Sequence, residues 1–167
     1  MSQPKIVASG PFELPAAQDR APLWSSELFF YGLYRNGPTY RAAVFFNRPD
    51  ADHDTPEDDA HGYAGSFFLF GKGGCFGEEG HCDPRAPLDR FDHRLFHPDS
   101  TTRSVDVTAA VRREIAAGSS EVAITVVPWL ADSAGVHVGG DLDNPVQFTH
   151  AALVSYDAYA PAAARPD

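Results

Sequence analysis

Apolar residues in the middle of the chain recur at every second position, and that spacing predicts strands rather than helices. The clearest stretch is Tyr40 to Phe46, where Tyr40, Ala42, Val44 and Phe46 fall on one face and Arg41, Ala43 and Phe45 on the other. Ser26 to Tyr34, just before it, is dense in Phe and Tyr. The intervening Arg35-Asn36-Gly37-Pro38 is a turn signature, so the two stretches read as a hairpin. Tyr63 to Phe70 predicts the next strand, and the β-branched run from Thr101 to Val107 another. In Glu121 to Val127, Val122, Ile124 and Val126 alternate with Ala123, Thr125 and Val127, the pattern of a strand buried on both faces, which Pro128 is expected to end. Phe148 to Tyr156 supplies a last strand.

One departure from period two follows Val107. Asp106 or Thr108 can cap a short helix whose apolar positions are Val111 and Ile115, and Gly118 supplies its stop. Six or more short strands with one short helix predict a mainly β fold, an antiparallel β-sandwich of jelly-roll-like type in which the helical turn carries the chain between layers. Pro4, Pro11, Pro15 and Pro22 fix backbone angles and remove amide donors, so residues 1–22 are expected as an extended arm on the surface rather than as a central strand. Residues 23–160 then form the single domain, and 161–167 a flexible tail. Asn47 to Asp59, acidic and interrupted by Pro49 and Pro56, is expected as a solvated loop without apolar burial. Gly71 to Arg90 reads as a long glycine-rich loop, and Asp132 to Pro145 as a loop or irregular edge.

A chain of 167 residues can bury one core of its own, and 12 Phe, 6 Tyr and 2 Trp supply large groups to fill it. With 23 acidic against 13 basic side chains the net charge is -10, a field that repels phosphate backbones and anionic headgroups. Nucleic acid and membrane surfaces are thus disfavoured partners, which leaves a basic or neutral protein, or a metal cation, open. Met1 to Gly10 lacks the apolar core of a secretory signal, and no apolar run approaches the length of a membrane span, so a cytoplasmic protein is expected. Export alongside a signal-bearing partner would leave the same sequence.

The sharpest candidate chemistry is in the glycine-rich loop. Cys75, His81 and Cys82 place two soft sulfur ligands and an imidazole within eight residues, and the glycines let them converge on Cu(I) or zinc. Zinc calls for a fourth ligand and tighter cysteine spacing, so copper fits better. The same cysteines can instead close a short disulfide ring, worth roughly 2 to 3 kcal/mol. His93 and His97 are four apart, but Pro84, Pro87 and Pro98 oppose a helix, and only a loop can bring them near His81. Asp50, Asp52 and Asp54 alternate like the opening of a calcium loop. The glycine and the glutamate that such a loop needs next are replaced by Thr55 and His61, so a solvated acidic loop is the expectation. No Gly-x-Ser-x-Gly elbow occurs, and no catalytic residue is assigned. Phe29, Phe30, Phe45, Phe46, Phe67, Phe68 and Phe70 stand at strand spacing and are expected mostly in the core. Phe76, set among glycines, is a candidate plug for a partner's cavity, with Phe70 beside it as a second docking residue.

Four segments carry a family resemblance. They are Tyr40-Arg-Ala-Ala-Val-Phe-Phe-Asn-Arg-Pro-Asp50; Gly62-Tyr-Ala-Gly-Ser-Phe-Phe with Phe68; Arg103 to Pro128, ending in Val-Pro; and Val138-Gly-Gly140 with Phe148 to Asp157. In order and spacing, over roughly two-thirds of the chain, they resemble the C-terminal β-sandwich domain of tyrosinases and polyphenol oxidases, which are type-3 copper proteins. The copper-binding His triplets of those enzymes sit on helices that this sequence lacks, and the Gly73 to Cys82 loop has no counterpart in the plant pattern. In full-length relatives this domain covers the copper site and keeps it latent. The resemblance therefore implies a non-catalytic accessory or shielding domain on a type-3 copper oxidase. The 71–98 loop would lie at the copper entrance, with Phe76 in the apolar mouth and Cys75, His81 and Cys82 handing over copper. The alternatives are a stand-alone small metalloprotein or enzyme using the Cys75/His81/Cys82 loop, and a self-associating structural domain.

Overall fold

In the computed structural model, residues 5–15, 23–35, 37–71, 100–130 and 143–157 are described. They form strands β1 (Val7–Glu13), β2 (Leu23–Tyr34), β3 (Tyr40–Phe46), β4 (Tyr63–Leu69) and β5 (Ser100–Asp106), then helix α1 (Thr108–Ala116) and strands β6 (Glu121–Leu130) and β7 (His150–Asp157). The strands make two antiparallel sheets, one in the order β1-β6-β3-β4 and the other in the order β5-β2-β7. The chain is mainly β, an antiparallel sandwich with one short helix.

The alternation in β3 decides how the layers meet. Tyr40, Ala42, Val44 and Phe46 are buried in the core, joined by Val122, Ile124 and Val126 of β6. From the other sheet come Leu28, Phe30 and Leu33 of β2 and Val105 of β5. The Phe30 ring lies at the centre, 4.9 Å from that of Phe67 and 5.3 Å from that of Phe148. Each such side chain taken fully out of water contributes about 1.5 to 3 kcal/mol.

Three local expectations are corrected by this packing. First, β2 and β3 do not form a hairpin: β2 pairs with β5 and β7, and β3 with β4 and β6. The segment between them is an arch from one layer to the other. Stacking brings the two densest apolar faces into contact across the core, whereas pairing in one sheet would have set them side by side. Second, β6 does not stop at Pro128 but runs on to Leu130, with Pro128 opposite Ala42. The Pro128 carbonyl accepts a hydrogen bond from His53 Nε2 at 2.9 Å. A strand residue's N and O point to the same edge, so the missing donor lies on the side where β1, last paired at Val7 with Val126, has ended. Third, residues 47–61 are not fully solvated, because Ala51 is only 2% exposed.

Within the segment expected as an extended arm, β1 is an edge strand beside β6, with its register shift between Ser9 and Phe12. Pro11 falls at that irregularity, where a missing donor costs no regular ladder bond.

The helix stops at the expected glycine, but its N-cap residue is Val107, which makes no side-chain capping bond; Asp106 instead binds Thr108 at the first helical position. Asp106 Oδ1 accepts from the Thr108 backbone N–H at 2.9 Å and from its hydroxyl at 2.6 Å. At the other end the Gly118 N–H donates to the Ile115 carbonyl and the Ser119 N–H to that of Glu114, both at 3.0 Å, with Gly118 at φ 85°. This double closure needs a left-handed residue, which glycine adopts without penalty. Val111 and Ala110 are buried and Ile115 packs against the core, so α1 seals one flank as the chain crosses from β5 to β6.

Phe30→Ala is expected to lower the unfolding free energy by about 3 to 5 kcal/mol through the cavity it leaves, measured as the shift in urea midpoint at constant slope. Gly65, at φ 146°, has room for no Cβ, which would stand 2.6 Å from Val105 Cγ1. Gly65→Ala should therefore also destabilise, by roughly 1 to 3 kcal/mol.

Candidate functional site

The second face of β3 organises the outer surface of the four-stranded sheet. Ala43 and Phe45 point there with Val127 of β6 and form a small second cluster, with Tyr63, Trp129 and Ile6 around it. Such an apolar face needs a cover, and residues 47–61 supply one. Asn47, at φ 53°, turns the chain. Its backbone N–H donates to the Ala123 carbonyl at 2.9 Å, and its Oδ1 accepts from the Ala123 N–H at 3.0 Å. Ala51 then drops into the cluster. The Asp52 carboxylate accepts from the Thr55 hydroxyl at 2.9 Å and the Asp54 N–H at 3.0 Å, closing a turn from which the His53 ring meets Trp129 edge-on at 5.5 Å.

One cross-strand row holds the exposed part of this face. Arg41 is paired with Trp129 of β6 on one side and with Phe68 of β4 on the other. Its guanidinium stands 5.7 Å from the centre of the Trp129 ring and forms a two-pronged ion pair with Glu57. Hydrogen bonds from Arg41 hold the Glu57 carboxyl below the usual carboxylate range, against the opposing effect of partial burial.

Beyond Arg41, Phe68 and Phe70 are 56% and 67% exposed. Period two explains why: Phe67 and Leu69 take the buried positions of β4, so Phe68 and Phe70 are sent outward. The expectation of a mostly core role for these phenylalanines thus holds for Phe30, Phe46 and Phe67 and fails for Phe68 and Phe70. The β4 backbone beneath them is tied to the opposite sheet, since Arg103 Nε of β5 donates to the Phe68 carbonyl at 3.3 Å.

Of the residues expected at the site, Phe70 is thus found exposed where β4 ends. Phe76, Cys75, His81, Cys82, His93 and His97 lie outside the described residues. Among the described residues no group of three or more His, Cys, Asp or Glu is arranged to hold a metal ion. Asp50 is occupied by Arg48 and Asp52 by its own turn, so neither is turned toward a common centre. Sequence reasoning missed Phe68, Arg41, Trp129, His53 and Glu57 as one surface. The available signal was the Phe67-Phe68 doublet, because adjacent strand residues cannot share a face.

An open cleft of about 490 Å³ lies between β1 and residues 144–148, lined by Ile6, Val7, Val146 and Phe148, with Lys5 its one titratable group. At the start of β3, burial pushes the Tyr40 hydroxyl well above its ordinary value, with the Arg103 charge opposing, so it stays neutral. No helix among the described residues is long and apolar enough to cross a membrane. No protein-family model matches the sequence, and no curated protein matches it.

Because Phe68 and Phe70 contribute little to the core, Phe68→Ser/Phe70→Ser is expected to change the unfolding free energy by no more than about 0.5 kcal/mol per site, checked by urea titration. The carboxyls of Asp50, Asp52, Glu57, Asp58 and Asp106 are all held low by hydrogen bonds, from Arg48, Thr55, Arg41, His61 and Thr108 respectively. A value lower in the folded state adds stability that is fully present above the unfolded value and lost as pH falls through the folded one. The urea midpoint should therefore be insensitive to these groups above about pH 5 and decline below about pH 4.

Proposed function

We propose that this chain is a non-catalytic accessory or shielding domain that docks on a type-3 copper oxidase of the tyrosinase and polyphenol oxidase kind. The observation that carries the reading is the exposure of Phe68, on the outer face of β4 beside the Arg41–Glu57 pair, and of Phe70, just past the end of that strand. Adjacent large aromatics left this bare on an otherwise well-packed domain mark a surface that another molecule covers.

The resemblance gives that molecule its identity. Its segments correspond in order to β3 with the acidic turn after it, to β4, to the β5-α1-β6 unit and to β7. In this reading Phe70 and Phe76 close the apolar mouth of the oxidase's copper pocket. Copper is cargo, passed through the thiols of Cys75 and Cys82 and the imidazole of His81, with His93 and His97 as further ligands. Soft sulfur donors suit Cu(I), and imidazole suits either oxidation state.

Mixing the protein with its cognate type-3 copper oxidase should give a complex on sizing chromatography and change either the copper loading or the diphenol turnover of the oxidase. Phe68→Ser/Phe70→Ser should weaken that complex at least about tenfold, as loss of central aromatic anchors does. No complex, with copper content and turnover both unchanged, would show the reading to be wrong.

A further inference from the structure

We propose that residues 47–61 form a strap that swings off the four-stranded sheet as one unit, while the sandwich beneath stays folded, and so uncovers the cluster of Ala43, Phe45 and Val127. This motion is independent of the docking reading above and sets how much of the sheet's outer face is bare.

The strap is a closed loop in its own right. Its ends are tied at a neck, where the Phe46 N–H donates to the Gly62 carbonyl at 2.8 Å and the Asn47 N–H to that of Ala123 at 2.9 Å. Between these ties the backbone bonds are internal. The N–H groups of Ala51, Thr55 and His61 donate to the carbonyls of Arg48, Asp52 and Asp58, and those of Asp52 and Asp54 to the side chains of Thr55 and Asp52. A loop whose ends meet and whose donors are satisfied within it can lift without breaking a strand ladder.

Beyond the neck, among the described residues, the strap holds the rest of the protein through side chains. Ala51 is its one buried residue. His53 Nε2 donates to the Pro128 carbonyl, Glu57 pairs with Arg41 of β3, and Asp59 pairs with Arg113 of α1 at 2.7 Å. Ion pairs this open to water hold weakly, the Asp59 side chain being 86% exposed. Closure also leaves one polar atom stranded. Because Nε2 carries the hydrogen given to Pro128, Nδ1 of the neutral ring is an acceptor, and it is buried without a hydrogen-bond partner. Water satisfies it once the strap lifts.

The strands underneath do not need the strap. β3 and β6 are central in their sheet, and their inner faces pack on the other layer whether or not the outer cluster is covered. Neighbouring residues of β6 therefore have separate covers. Val126 lies in the core between the sheets and Val127 in the cluster under the strap, and both are 0% exposed. A reagent reaches position 126 only through unfolding of the sandwich, but position 127 whenever the strap is off.

The test places a thiol at each position of the whole chain, as Val127→Cys and Val126→Cys, and reads its labelling by mass on the peptide that carries it. Val127→Cys should label at least about tenfold faster, and its rate should change little in sub-denaturing urea because little surface opens, whereas that of Val126→Cys should climb steeply. Glu57→Ala/Asp59→Ala should speed labelling of Val127→Cys about fivefold, through loss of two weak exposed pairs. Ala43→Cys and Ala42→Cys, both 0% exposed on opposite faces of β3, repeat the comparison if either valine variant does not fold. Equal rates with the same urea dependence overturn the inference, and so does a Val127→Cys rate that the two alanine substitutions leave unchanged.

Discussion

The structure depends on one packing constraint: the inner faces of β2 and β3 must lie against each other across the core. Leu28, Phe30 and Leu33 on one side meet Tyr40, Ala42, Val44 and Phe46 on the other, and both strands are central in their own sheets. Because a strand has two faces and no more, this choice also fixes what points outward. On β3 the outward residues are Arg41, Ala43 and Phe45, and everything on the outer surface of that sheet is arranged around them. The acidic loop, the Trp129 platform and the exposed phenylalanines follow from the same two-residue repeat that builds the core.

Much of this was legible in the chain. The alternation of β3, the positions of β4, β5 and β7 to within two residues, and the end of α1 could be read because each is set by residues close in sequence: the apolar period and the Gly118 stop. What could not be read was decided by neighbours distant in sequence. Gly37-Pro38 marks a turn but does not say whether the strands it joins will pair or stack. Pro128 can sit inside β6 only because its donor-less side faces a gap left by β1, whose end is more than a hundred residues away in the sequence. Ala51 and His53 are drawn inward by Phe45, Val127 and Trp129, and nothing in their own acidic surroundings announces it.

The candidate site divides along the same line. Phe70 is exposed just past the end of β4, while Phe68 needed the pairing with Arg41 to be recognised as part of the same surface. The cross-strand row Trp129, Arg41, Phe68 has no sequence signature, since its members come from β6, β3 and β4.

The bond from Arg103 to the Phe68 carbonyl carries a consequence for how this molecule can and cannot associate. Marginal strands of open sheets tend to recruit further strands, the route by which bare β-edges polymerise into fibrils. Here a guanidinium from the opposite layer occupies a carbonyl of β4, and the glycine at position 65 lets Val105 press close beside the same strand. Backbone zippering is thereby disfavoured along the edge that carries the exposed Phe68. An added strand would have to displace that guanidinium before it could extend the ladder.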